Sequence, residues 1–379
     1  MKLWRKEDRC TIAHYLKQYG GLLFSEYPMN EVDSLILCQF SYLKFDGLVP
    51  GIRAYAPSVS LWELAQDTHW EKLFADILFE TENRALYAGM LSCRRFRDLR
   101  MNCYVNRIDK EWETQFAAIT YLLEDGAIYI AFRGTDETFI GWKENFNMSF
   151  LSPIPGQELA VRYLNEVAGQ FSNPFYVGGH SKGGNLAVYS AMHCAPAIQR
   201  RIRRIYNMDG PGFRPEILRD DSYRAIRDRV VKYLPQSSVI GMLFAEDADC
   251  HVIASRSFGL AQHNPFHWKI RNGHFVAAGC IGASVRRTDA LLNAWIFSLD
   301  EAQARLVVET LYQVVLAAQK DDLISMASDF GHFAGCVLTA LRRMDVTQKE
   351  VLRETFTDLL GQLRPRRRQG LPGRGGNER

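Results

Sequence analysis

Residues 175–192 read FYVGGHSKGGNLAVYSAM. Phe175 to Gly178 is a short apolar run ended by glycines, and Lys182 to His193 has the period of a helix with a small-residue face. Between them Gly179, Ser181 and Gly183 fit G-x-S-x-G, the pattern of a sharp strand-to-helix elbow. The physics of that turn asks for these residue types. The serine takes strained backbone angles that thrust its hydroxyl out of the sheet. A side chain at either neighbouring glycine would collide with the other arm of the elbow. The helix N-terminus beneath supplies N–H groups and a positive dipole end for a developing oxyanion. The plain alternative is a glycine-rich turn with a serine N-cap.

The flanks fit the elbow. TQFAAITYLL (114–123) and AIYIAF (127–132) are β-rich runs joined by Glu124-Asp125-Gly126, a hairpin signal. Gln157 to Gln170 is amphipathic at helical spacing. Arg204 to Met208, Val230 to Leu234 and His251 to Ala254 are further short strands, the first stopped by Asp209-Gly210-Pro211-Gly212. Strands alternating with helices predict a mainly parallel sheet covered on both faces. Val32 to Leu43 and Leu61 to Glu80 read as helices capped by Asn30 and Ser60. Gln303 to Ala318, Leu323 to Arg342 and Thr347 to Leu363 read as helices at the other end. The expected organisation is a mainly helical segment over 1–100, an α/β core over 101–284, helices over 285–363 and a basic tail over 364–379.

Composition narrows the class. With 379 residues, 47% hydrophobic and 23% charged, the chain has material for a sizeable core. Its formal charge of +3 misleads, because Leu363 to Arg379 holds six arginines and one glutamate. What precedes it is slightly acidic, so the folded body is no obvious nucleic-acid binder. The Arg/Gly/Pro-rich tail cannot bury a core and reads as disordered. The eight cysteines form no C-x-x-C pair and read as idle thiols. Neither a signal peptide nor an 18-residue apolar run is visible, which makes the cytoplasm the expected compartment. Oligomeric state is not legible.

Ala131-Phe132-Arg133-Gly134-Thr135, followed some forty-five residues later by Gly179-His180-Ser181-Lys182-Gly183-Gly184, resembles the class 3 lipases of the α/β-hydrolase fold. The resemblance implies that Thr135, after Arg-Gly, helps form an oxyanion hole, with the backbone N–H of Lys182 as second donor. EVDSLILCQFSYLKFD (31–46), NMDGPGF (207–213) and QHNPFHW (262–268) are similar to a family of uncharacterised bacterial lipase-like proteins, over roughly residues 22–270. The implied fold is α/β, an α/β-hydrolase with helical segments at both ends. Capping of the following loop is the bland role for Thr135 and Asp136.

Chain order in this fold is Ser, then acid, then His. The base candidates are His193, His251, His263, His267, His274 and His332. His263 sits in a loop after a strand, where the fold presents its base, and the resemblance picks the same residue. His263 and His267 are four apart, a metal-pair spacing on a helix, but Pro265 disfavours that helix and no metal is expected. For the acid, Asp209 ends the strand after the elbow helix. Class 3 lipases place it one strand later, where this chain has Ser237 and Ser238; Asp247 and Asp249 lie further on. The acid is left open among these, with Asp209 first. Lys182, where the class 3 lipases carry an apolar residue, is either a solvated side chain or a bias toward an anionic substrate.

The expected activity is a serine hydrolase cleaving an ester-like bond through an acyl-enzyme, without cofactor, on a small acyl ester or lipid. Phe146, Met148, Phe150 and Leu151 are candidates for an apolar lid. The alternative is a non-catalytic hydrolase-fold protein used for binding or regulation.

Overall fold

The computed structural model describes residues 10–54, 56–109, 114–135, 148, 153–238, 240–244, 248–281 and 283–318, with single positions between 346 and 357. Phe146, Phe150, Leu151, Asp136, Asp247, His332, the helix expected over Leu323 to Arg342 and the tail lie outside the described residues.

Eight strands form one sheet in sequential order among the described residues: β1 Val59–Ser60, β2 Arg100–Asp109, β3 Thr114–Leu122, β4 Ile128–Phe132, β5 Phe175–His180, β6 Ile202–Met208, β7 Val230–Pro235 and β8 Asp249–Ile253. β1 to β4 pair antiparallel, and β4 to β8 pair parallel. The β3–β4 hairpin turns at Gly126, whose φ of 82° suits glycine. β5 begins where the sequence reading put it and runs two residues longer.

β2 has no counterpart in the sequence reading. Cys103, at φ 55°, sits in a bulge where the register shifts between Asn102 and Val105. An extra residue there breaks the two-residue alternation that marks a strand.

The strand order never reverses from β4 to β8. Right-handed crossovers therefore stack their helices on one face of the sheet. Helix α6 (Pro155–Gln170) and helix α7 (Lys182–His193) lie there, with Leu164, Val167, Leu186 and Ala187 buried against Ile130, Phe132 and Val177. The other face is covered by the N-terminal helices α1 (Ile12–Tyr19), α2 (Glu31–Phe40) and α4 (Glu80–Leu91), whose Leu35, Phe40 and Met90 join Tyr121, Tyr129 and Met208 in a second core. The 1–100 segment thus shares a core with the sheet.

Asn30 caps α2 in a capping box with Asp33. The single helix expected over Leu61 to Glu80 is instead α3 (Leu61–Ala65), a 3₁₀ turn at Trp70–Phe74 and the start of α4. Asp67 Oδ1 accepts the His69 N–H at 2.7 Å, an Asx-type turn that competes with helix hydrogen bonds. Asp33 also makes a fully buried ion pair with Arg95, 2.6 Å from Arg95 Nη2, on the short helix α5 (Arg94–Arg97).

Beyond β8 a two-stranded hairpin, β9 (Ile270–Arg271) with β10 (His274–Phe275), leads to helices α8 (Ala283–Ser298) and α9 (Glu301–Ala318). The whole is a mostly parallel eight-stranded sheet flanked by helices, and the carboxyl ends of β4, β5 and β6 lie side by side.

Candidate active site

Ser181 joins β5 to α7 with φ 57° and ψ −133°, a conformation few non-glycine residues adopt. Its N–H donates to the Met208 carbonyl at 2.9 Å, which ties the elbow to β6. A Cβ on Gly179 would run into the backbone of Gly183, as the elbow argument requires. A Cβ on Gly183 would meet the Phe132 carbonyl of β4 instead, so this glycine serves the approach of helix to neighbouring strand.

Arg133-Gly134-Thr135 continues from β4 over the elbow. The Gly134 α-carbon packs so closely that a Cβ there would lie 3.1 Å from Ser181 Cβ and 2.6 Å from the His180 carbonyl. Thr135 follows, buried at 7% exposure. Lys182 is the first residue of α7, which puts its backbone N–H at the helix's positive end. Its side chain is neither solvated nor aimed at a substrate. It is buried, and Nζ donates to the Gln115 carbonyl at 2.6 Å and to Gln115 Oε1 at 3.0 Å on β3. Both readings of this side chain are thereby corrected: a buried ammonium needs fixed acceptors, and β3 supplies them.

Asp209, fully buried, follows β6 with φ 53°. Its N–H donates to the Tyr233 carbonyl at 2.8 Å. Oδ2 lies 2.7 Å from His263 Nδ1. Oδ1 accepts the Ser238 hydroxyl at 2.5 Å, and Ser238 Oγ accepts the Gly241 N–H at 2.8 Å. Ser238 thus stands beside Asp209, with the imidazole on the carboxylate's other oxygen. The NMDGPGF loop is braced around Asp209. Asn207 Oδ1 accepts the Gly210 N–H at 2.8 Å, and Asn185 Nδ2 donates to the Gly212 carbonyl at 2.9 Å.

His263 ends a 3₁₀ turn, Gly259–His263, with its side chain 20% exposed. Trp268 Nε1 donates to the Gln262 carbonyl at 2.9 Å and pins the loop from below. Among the described residues Ser181 Oγ has no hydrogen bond to the imidazole; serine-to-base bonds often tighten only with substrate in place.

Two residues that the sequence reading did not consider complete the site. His180 Nε2 donates to the His263 carbonyl at 2.9 Å, and the Tyr42 hydroxyl lies 3.2 Å from His180 Nδ1. The imidazoles of His180 and His263 pack with ring centroids 4.6 Å apart, tilted by 32°. Burial, reinforced by His263, pushes the His180 pKa well below its ordinary 6.5. His180 is therefore a neutral prop, fixed as the Nε2–H tautomer by its two partners. The sequence did carry a signal, since His180 lies inside the G-x-S-x-G pattern. Chain order directed the search downstream of Ser181 and so away from it.

The remaining histidines are placed elsewhere. His193 rings against Tyr189, His251 lies on β8 beside Asp249, His267 Nδ1 meets Ser257 Oγ at 2.5 Å, and His274 pairs with Glu31 at 2.9 Å. Asp249 is exposed on β8, and its carboxylate lies 3.1 Å from His251. Among the described residues no group of three His, Cys, Asp or Glu side chains could hold a metal, and no helix is long and apolar enough to cross a membrane. Met148 is buried with Ile154 and Phe244 in an apolar cluster that also packs Leu243, whose carbonyl accepts the Gly212 N–H at 2.9 Å.

A family model described as Mbeg1-like matches residues 90–313, more than half of the chain. Among solved structures, the one titled "Crystal structure of M37 lipase" matches at 15% sequence identity and a TM-score of 0.30, covering 55% of this chain and 68% of that one. No curated protein matches the chain.

Proposed function

Because the chain belongs to the Mbeg1-like family and carries the constellation just described, we propose that it is a serine hydrolase acting on an ester-like bond, whether carboxylic ester, lipid or thioester. The observation that carries the reading is the Asp209–His263 contact of 2.7 Å beside a serine held at φ 57°. In this reading Ser181 Oγ attacks the carbonyl carbon while His263 Nε2 takes its proton. Asp209 keeps the other imidazole proton on Nδ1 and stabilises the imidazolium. Thr135 and the Lys182 N–H hold the oxyanion. The imidazolium returns the proton to the leaving oxygen or sulfur, and water then releases the acyl group by the same steps in reverse.

The expected preference for an acyl chain over a peptide follows from the lipase-like resemblance; Met148, one of the residues expected to line a lid, is buried with Ile154 and Phe244. Hydrolysis of p-nitrophenyl esters with short to medium chains, lost in Ser181→Ala, is the expected result, with casein left intact. Casein cleavage at comparable rate, abolished by the same variant, would reverse the substrate preference and spare the nucleophile.

A further inference from the structure

Behind the His263 loop lies a groove of about 630 Å³ between α1 and α4. That volume is in the range of small-molecule sites. Its walls are largely apolar, with Ile12 and Leu16 from α1, Leu86 from α4, and Phe266, three residues after His263. Three cationic side chains stand at the rim, Lys17, Arg94 and Arg256, against Glu82, with Glu26 also 3.5 Å from Arg94. An apolar trough with a net positive rim fits an amphipathic anion, whose tail leaves water while its head meets the cations.

The chain's own first nine residues, MKLWRKEDR, precede this groove in sequence. They carry four basic and two acidic side chains, the same sign as the rim. We propose that the groove binds a long-chain fatty-acid anion, at a site separate from Ser181.

The site is tied to the active site through the loop that forms its wall. Arg256 Nη2 donates to the Phe266 carbonyl at 2.8 Å, and the Arg256 N–H to the His267 carbonyl at 2.8 Å. Ser255 pairs with Trp268, the residue that pins Gln262 next to His263. An occupant pressing on Phe266 therefore bears on the segment that presents the base. A fatty acid is also what the proposed hydrolysis of a lipid ester would release, so only the origin of the ligand rests on the preceding section; the binding does not.

The test is equilibrium binding to the full chain carrying Ser181→Ala, so that turnover plays no part. The probe is an anthroyloxy-labelled stearate, competed with oleate. The expected result is saturable binding that oleate displaces, with methyl oleate at least about fivefold weaker because it lacks the charge. Ala85 is exposed on α4 and lines the groove, so Ala85→Trp should fill it without disturbing the core and weaken binding about tenfold or more. Lys17→Glu should weaken it about fivefold. Equal displacement by methyl oleate, or indifference to Ala85→Trp in a variant whose urea melt matches the parent, would overturn the proposal. So would binding that appears only after residues 1–9 are removed, which would give the groove to the chain's own N-terminus. A chain that hydrolyses esters yet binds no oleate would refute this site alone, and a chain that binds oleate without hydrolysing esters would refute only the catalytic reading.

Discussion

Replacing Asp209 by Asn changes one atom and sets two hydrogen bonds against each other. The carboxylate accepts from His263 Nδ1 at 2.7 Å and from Ser238 Oγ at 2.5 Å, with no exposure to water. An amide offers one acceptor and one donor in that space, so one partner must reverse. If the NH₂ faces His263, the imidazole is forced into the Nε2–H tautomer and cannot accept the Ser181 proton, a loss of about 10⁴ in kcat. If it faces Ser238, that hydroxyl, already accepting from Gly241 at 2.8 Å, loses the acceptor for its own proton. Losing one buried hydrogen bond costs about 1–2 kcal/mol. In either orientation the negative charge that would stabilise the imidazolium formed in the transition state is gone, so kcat/KM should fall at least about 10²-fold. Ser238→Ala separates the two demands. It removes one donor to a buried carboxylate, which should lower stability by about 2 kcal/mol while kcat/KM falls less than about tenfold. The assay is kcat/KM on p-nitrophenyl butyrate beside urea unfolding for the parent and both variants. If Asp209→Asn stays within tenfold of the parent, or Ser238→Ala falls as far as it does, Asp209 is not the acid.

Further outcomes follow from single contacts. Arg95→Ala strands Asp33 as an unpaired charge at zero exposure and should cost about 3–5 kcal/mol in urea unfolding, far more than the exposed pair Arg224–Asp221. Gly134→Ala would press a methyl onto Tyr42 Oη and the His180 carbonyl, displace the segment carrying Thr135, the proposed oxyanion donor, and lower kcat about 10²-fold, read in the same ester assay. Burial keeps His180 neutral below its ordinary pKa of 6.5, so below that pH the unfolded chain binds a proton that the folded chain refuses. Stability should then fall as pH drops from 6.5, by up to about 1.4 kcal/mol per unit for this group; His180→Gln, which keeps a donor and an acceptor, should flatten the slope between pH 7.5 and 5.5 in urea titrations.

The sequence disclosed what is local and periodic. The elbow, the Gly126 hairpin, α7 and the parallel strands all declare themselves through glycine placement and apolar runs, and the structure has them within a few residues. The β2 strand escaped because its bulge at Cys103 destroys the alternation. The break after Ala65 escaped because one Asx turn outweighs a helical pattern. At the site, chain order and loop position sufficed to bring Ser181, Asp209 and His263 into consideration. Ser238 was weighed as a substitute for the acid, and only the three-dimensional register of β6 with β7 puts it on the acid's far oxygen. Tyr42 lies 138 residues from its partner His180, beyond the reach of spacing or periodicity. The burial of the Lys182 side chain depends on β3, a strand antiparallel to β4 and out of sequence range of the elbow.

Covalent labelling of the intact chain with a fluorophosphonate, mapped by peptide mass spectrometry, tests the catalytic reading most directly. The adduct should fall on Ser181, be absent in Ser181→Ala, and form at least about 10³-fold more slowly in His263→Ala, since an unassisted serine is a weak nucleophile. A folded chain left unlabelled, or labelled at the same rate without His263, would contradict the proposal and leave an α/β scaffold whose serine is not activated.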